Sequence, residues 1–192
     1  MPRLKPLYLA IAAVIAFGAI LAVVYVKRSG PVHATTPPAT MAHFALSEHA
    51  PPLPDVAFSD ARGVRHTLEE YRGRYVLLNL WATWCAPCVK ELPSLAKLQK
   101  AMGDKLAVVA VDVGRNEALD AAQFMKSHGA GALPVFLDSN VALVRAFKAY
   151  GLPLTVLIDP NGKEVGRASG EADWGAADSV KYLQAITARA SS

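Results

Sequence analysis

The only two thiols in this 192-residue chain, Cys85 and Cys88, stand two residues apart in Trp81-Ala82-Thr83-Trp84-Cys85-Ala86-Pro87-Cys88. Disulfide exchange needs an attacking thiolate, a second thiol close enough to displace the mixed disulfide, and access for another protein's disulfide. The apolar run Tyr75–Trp81 reads as a buried strand, and Val89–Met102 has helical spacing through Leu92, Leu95, Leu98 and Met102. The pair therefore opens a helix, with the second thiol within one turn of the first. Positive potential at a helix start favours the thiolate nearest the unsatisfied amides, which makes Cys85 the nucleophile and Cys88 the resolving thiol. Pro87 lies in the first turn, where a missing amide hydrogen costs little.

Two blander readings compete. Half a zinc site would need two more ligands, but the sequence has neither a second cysteine pair nor a His-x₃-His. A structural disulfide rarely sits at a strand-to-helix junction flanked by tryptophans. Two cysteines also exclude a disulfide-rich scaffold.

The positioning elements alternate. Val56–Phe58 and Val64–His66 form a small hairpin around Asp60–Gly63, and Thr67–Glu70 resembles a capping-box helix start. Leu106–Val113 is a second buried strand, followed by a helix around Glu117–His128, a short strand at Pro134–Leu137 and a helix at Val141–Tyr150. Leu154–Ile158, the Asn161-Gly162 turn and Lys163–Ala168 make an antiparallel hairpin, and Asp178–Ala188 is a closing helix. This order predicts an α/β sheet with parallel and antiparallel parts.

The 1–28 segment is different. Leu7–Val26 is apolar except for Gly18 and uncharged, long enough to span about 30 Å as a helix. Tyr8 and Tyr25 lie near its ends and Arg3, Lys5, Lys27 and Arg28 flank it, so it reads as an uncleaved membrane anchor with its amino terminus inside. The rival is a signal peptide cleaved near Val32-His33-Ala34, disfavoured by the length of the apolar run and by Lys27-Arg28. The formal charge of +4 sits wholly in this segment, and the other 16 basic side chains match the 16 acidic ones. The basic balance therefore gives no case for nucleic acid. Residues 29–54, rich in proline, alanine and threonine, read as a semi-extended spacer whose His33, Met41, His43 and His49 are scattered linker residues. The domain proper is then 55–192.

Trp84-Cys85-Ala86-Pro87-Cys88, Pro93 and Gly151-Leu152-Pro153-Leu154-Thr155 before a strand resemble the thioredoxin superfamily. Asn79–Cys85 followed by Val89-Lys90-Glu91-Leu92-Pro93 resembles its membrane-anchored TlpA/ResA/CcmG group. The anchor, the extra strand–helix segment before Pro153 and Gly170-Glu171-Ala172-Asp173-Trp174 are most similar to the TlpA branch. The resemblance covers about residues 50–190. It implies a thioredoxin-like mixed sheet flanked by helices, with a central strand–helix insert and one preceding transmembrane helix.

The same resemblance makes Pro153 a cis-proline facing the cysteines, with Leu152 offering backbone to a substrate chain. Trp84, Ala86 and Pro87 would face that substrate, whereas Trp81 reads as core. Glu91 matches a glutamate of the anchored group, three residues after Cys88 on a shared helix face. Its role would be to accept or return the Cys88 proton, against the alternative of a solvated glutamate near a helix start. Asn79 stands where thioredoxin has a buried aspartate, and Leu154 replaces the small polar residue common after the cis-proline. Pro93 would kink the active-site helix.

The implied activity is that of a thiol:disulfide reductase held on the bacterial inner membrane, its catalytic domain in the periplasm, recharged by a membrane thiol carrier and needing no cofactor. Its clients would be copper-centre assembly factors or, alternatively, apocytochrome c. A copper metallochaperone of the Sco type would instead use Cys-x₃-Cys and a distant late histidine, but here the gap is two and His128 follows Cys88 by only forty residues. A thiol peroxidase would want proline and threonine seven and three residues before the cysteine, where Leu78 and Ala82 stand.

Overall fold

The computed structural model describes residues 36–49, 52–114 and 116–188. The expected anchor at 1–28 and His33 lie outside the described residues. Among the described residues no helix is long and apolar enough to cross a membrane.

Among the described residues eight strands form one sheet: β1 (Phe44–Leu46), β2 (Ala57–Asp60), β3 (Arg65–Thr67), β4 (Tyr75–Trp81), β5 (Leu106–Asp112), β6 (Phe136–Leu137), β7 (Leu154–Ile158) and β8 (Glu164–Ser169). Their order is β1-β8-β7-β4-β5-β6-β2-β3. β4 pairs in parallel with β5 and β5 with β6, whereas β7 runs antiparallel to both β4 and β8. Strands buried on both faces read as unbroken apolar runs, and every residue of β4, β5 and β7 is buried.

Among the described residues four α-helices complete the fold: α1 (Ala86–Met102), α2 (Ala118–Ser127), α3 (Ala142–Ala146) and α4 (Ala177–Ala188). Side chains alternate across a strand, so β4 sends Tyr75, Leu77 and Trp81 to one face and Val76, Leu78 and Leu80 to the other. The first set packs with Leu92, Leu95 and Leu98 of α1 and with Tyr182, Leu183 and Ile186 of α4. The second packs with Val109, Val156, Leu143 and Phe147.

Two expectations need correction. The spacer 29–54 is not structureless throughout: β1 pairs with β8 in the register Phe44↔Ala168, and Met41 and Phe44 are buried in the core. These residues show no helical or strand period, so nothing local announced a burial that β8, Trp174 and α4 create. The helix expected over Val141–Tyr150 is limited to Ala142–Ala146, because Val141 and Lys148 both take left-handed backbone, with φ of 51° and 52°. The capping box at Thr67 and Glu70 is present and opens a single 3₁₀ turn. α1 continues through Pro93 as one 17-residue helix.

Candidate active site

The β4–α1 junction carries the cysteines. β4 ends at Trp81, a short loop follows, and Cys85 is the N-cap of α1 with extended backbone. Its Sγ accepts a hydrogen bond from the Cys88 amide at 3.3 Å, so the sulfur sits where helix-start amides are unsatisfied. Cys85 and Cys88 form a disulfide with S–S 2.04 Å. Cys85 keeps 5% of its surface exposed and Cys88 none, so the first sulfur is the one an incoming disulfide can reach. Pro87 lies in the first turn as expected, half-buried, with Ala86 exposed beside it.

Glu91 is not the solvated glutamate of the alternative reading. It is only 2% exposed, on the same buried stripe of α1 as Cys88, Leu92 and Leu95. The alternation that sends Leu77 and Trp81 toward α1 sends Asn79 there too, and Asn79 Nδ2 donates to Glu91 Oε1 at 2.6 Å and to Thr155 Oγ1 at 2.9 Å. Oε2 accepts from the Ala172 amide and from Trp174 Nε1, each at 3.2 Å. Burial pushes the Glu91 carboxyl up to about 7; hydrogen bonds from Asn79, Ala172 and Trp174 oppose that rise, and Glu171 adds to it. An acid poised near neutrality one helical turn from Cys88 can take a thiol proton and return it. Glu91 also borders an open groove of about 380 Å³ shared with Lys90, Ser94, Lys97, Glu171 and Asp173.

The Leu152–Pro153 peptide is cis, as the resemblance implied. β7 begins directly after it beside the end of β4, in the register Leu80↔Leu154, so the cysteine loop and the Leu152–Pro153 loop leave adjacent strand ends. Leu152 is half-buried, and Trp84 is 71% exposed, free to meet a partner. Trp81 is fully buried and stacks on Phe124, as a core residue would. Leu154 belongs to the opposite apolar face, and the hydroxyl of the next residue, Thr155, serves Asn79 instead. His128 stacks on Phe124 and its Nδ1 lies 2.9 Å from the Phe124 carbonyl. Leu78 and Ala82 are both buried, Leu78 within β4.

Sequence reasoning missed Ala172 and Trp174 as partners of Glu91, and Thr155 as the partner of Asn79. One signal was available: Asn79 is the single polar residue in the run Tyr75–Trp81, and a buried amide needs partners. Also unforeseen was the tie Asp112–Asn116–Thr83, in which Asn116 Nδ2 donates to Asp112 Oδ2 at 2.7 Å and to Thr83 Oγ1 at 3.2 Å, steadying the loop before Cys85.

Residues 50–164 match the model of the AhpC/TSA family. The chain belongs to that family. It is 38% identical over 118 residues to the thiol-disulfide oxidoreductase ResA of Bacillus subtilis, covering 61% of this chain and 65% of that one. It is 31% identical over 135 residues to ResA of Bacillus cereus, covering 70% of this chain and 76% of that one. The chain thus spans just under two thirds of the length of the Bacillus subtilis protein. The crystal structure of a Chlorobium tepidum protein described as the thiol:disulfide interchange protein DsbE superposes with a TM-score of 0.61 at 29% identity, over 75% of this chain and 98% of that one. These relatives bear out the thioredoxin-like sheet and the resemblance to the ResA-containing group.

Proposed function

We propose that this protein is a thiol:disulfide oxidoreductase acting as a reductant toward specific client proteins. The observation that carries the reading is the Cys85–Cys88 disulfide at the start of α1, with the outer sulfur at the helix N-cap and the inner one fully buried. In the reduced protein, helix-start amides stabilise the Cys85 thiolate, which attacks a client disulfide and forms a mixed disulfide. Cys88 passes its proton to Glu91 and attacks the Cys85 sulfur. The Cys85–Cys88 bond forms, the client bond breaks, and the client leaves with both electrons. A thiol carrier in the membrane returns the pair to the dithiol.

The apolar run Leu7–Val26 supports a single-pass anchor in the bacterial inner membrane, with the amino terminus inside and the catalytic domain in the periplasm. Among clients, copper-centre assembly factors are favoured by the TlpA-like Gly170–Trp174 segment. Apocytochrome c is the alternative of the same class.

The test is Cys88→Ser expressed in the native host, which should accumulate mixed disulfides on Cys85 that identify the client. Cys85→Ser should trap nothing. A reduction potential among the strong oxidants, near −120 mV on the general scale, with no client reduction would overturn the reading.

A further inference from the structure

The Gly170–Trp174 segment ties the two halves of the site together. Gly170 donates its amide to the Pro153 carbonyl at 3.0 Å, and two residues later the Ala172 amide reaches Glu91. Trp174 clips the segment to α1 twice: its indole N–H donates to Glu91 Oε2, and its backbone N–H donates to Ser94 Oγ at 3.2 Å. The ring is fully buried and edge-on to Phe44, with centroids 6.2 Å apart.

We propose that Trp174 is a positioning residue for the proton step, its indole N–H holding the Glu91 carboxylate ready to receive the proton of Cys88. The inference rests on the thiol:disulfide reading of the site. An indole offers one donor and no acceptor, so it stabilises a carboxylate oxygen and selectively favours the ionised acid. Burial works the other way, and without enough donors Glu91 would stay protonated at neutral pH, unable to accept.

The surroundings leave that donor a distinct job. From β4 and β7 the acid meets only the neutral Asn79 and Thr155 network. From its own helix Lys90 and Lys97 border the groove, and from the Gly170–Trp174 segment Glu171 and Asp173 do so. Lys90 is 3.7 Å from Glu171 and so is paired with another acid, and neither lysine forms an ion pair with Glu91. Stabilising the Glu91 charge therefore falls to hydrogen bonds from Asn79, Ala172 and Trp174.

The experiment compares the full chain in detergent as wild type, Trp174→Phe and Phe44→Leu. Trp174→Phe removes the N–H and keeps an aromatic ring, whereas Phe44→Leu loosens the same packing and leaves the N–H. In the oxidised protein, isotope-edited infrared spectroscopy follows the Glu91 carboxyl without any turnover. In the reduced cycle, release of glutathione from its mixed disulfide with Cys85 is followed against pH. Trp174→Phe should raise the midpoint of both curves by about one pH unit, the scale of one hydrogen bond to an ionised group. Phe44→Leu should lower thermal stability and leave both midpoints in place. Coincident midpoints for wild type and Trp174→Phe, or an equal rise in Phe44→Leu, would overturn the inference. A wild type that never releases glutathione would instead sink the thiol:disulfide reading, while the infrared titration still decides the role of the indole.

Discussion

The two faces of the central strands are built to different rules. On one, β4 contributes Val76, Leu78 and Leu80, which meet the apolar Val109, Val111, Leu154, Val156 and Leu143. On the other, the same strands place Asn79 and Thr155 between Leu77, Trp81 and Leu157, and α1 adds Cys88 and Glu91. Even with its partners that second face is imperfect, since the buried Asn79 Oδ1 has no hydrogen-bond partner. An apolar face needs only close packing, whereas a face holding an ionisable acid must supply donors and still accept a desolvation cost. The fold thus packs an apolar core on both sides of the sheet and confines the Glu91 proton chemistry to one of them.

The sharpest way to break that division is to damage the apolar face alone. Leu80→Ala removes a fully buried side chain and should cost about 2–5 kcal/mol, read by chemical denaturation. The dependence of stability on pH should keep its wild-type shape. A changed pH dependence would mean that the two faces are coupled.

Glu91→Gln tests the other face. The Glu91 carboxyl lies at about 7 in the folded protein against an ordinary 4.5, so between those values the folded state holds a proton that the unfolded state has lost. Its contribution is fully present below about 4.5 and is lost as pH rises through about 7. The wild type should therefore lose about 3 kcal/mol across that window, an order-of-magnitude figure from the difference in proton affinity. Gln cannot ionise, and an amide rotation of Asn79 restores its hydrogen bond. Denaturation at pH 4.5 and pH 8 should show equal stability for the two proteins at the lower value and a more stable variant at the higher. Parallel curves would show that Glu91 carries no such load, and mixed-disulfide release should slow in the variant.

What could be read from sequence follows the same division. β7, and β4 ahead of the cysteines, have the boundaries expected of them, because runs that are apolar but for one residue each, together with the cysteine motif, fix their ends. The positions of Cys85, Cys88, Glu91 and Pro153 were legible from local spacing and resemblance. The Glu91 environment was not, since Asn79, Ala172 and Trp174 come from distant parts of the chain and converge only in the folded sheet. Met41 and Phe44 escaped for the same reason: their burial depends on β8, Trp174 and α4, not on neighbours in sequence.

The smallest effect comes from the end of α3, on the apolar side. Lys148 donates its amide to the Arg145 carbonyl and Ala149 donates to Val144, the paired bonds of a Schellman cap. That cap needs left-handed backbone at Lys148, where φ is 52° and glycine is the usual occupant. Lys148 is exposed, so Lys148→Gly gives up little packing and relieves the backbone. Glycine's greater freedom in the unfolded chain offsets part of the gain, leaving about 0.5–1 kcal/mol of added stability. Val141 has φ of 51° but packs against the apolar cluster, so Val141→Gly would lose contacts along with strain and should not stabilise. If Lys148→Gly raises the denaturation midpoint and leaves the pH dependence of stability unchanged, the apolar face can be improved without touching the chemistry. A change in that dependence would show that α3 and the loop leading to Pro153 feed into the Glu91 site.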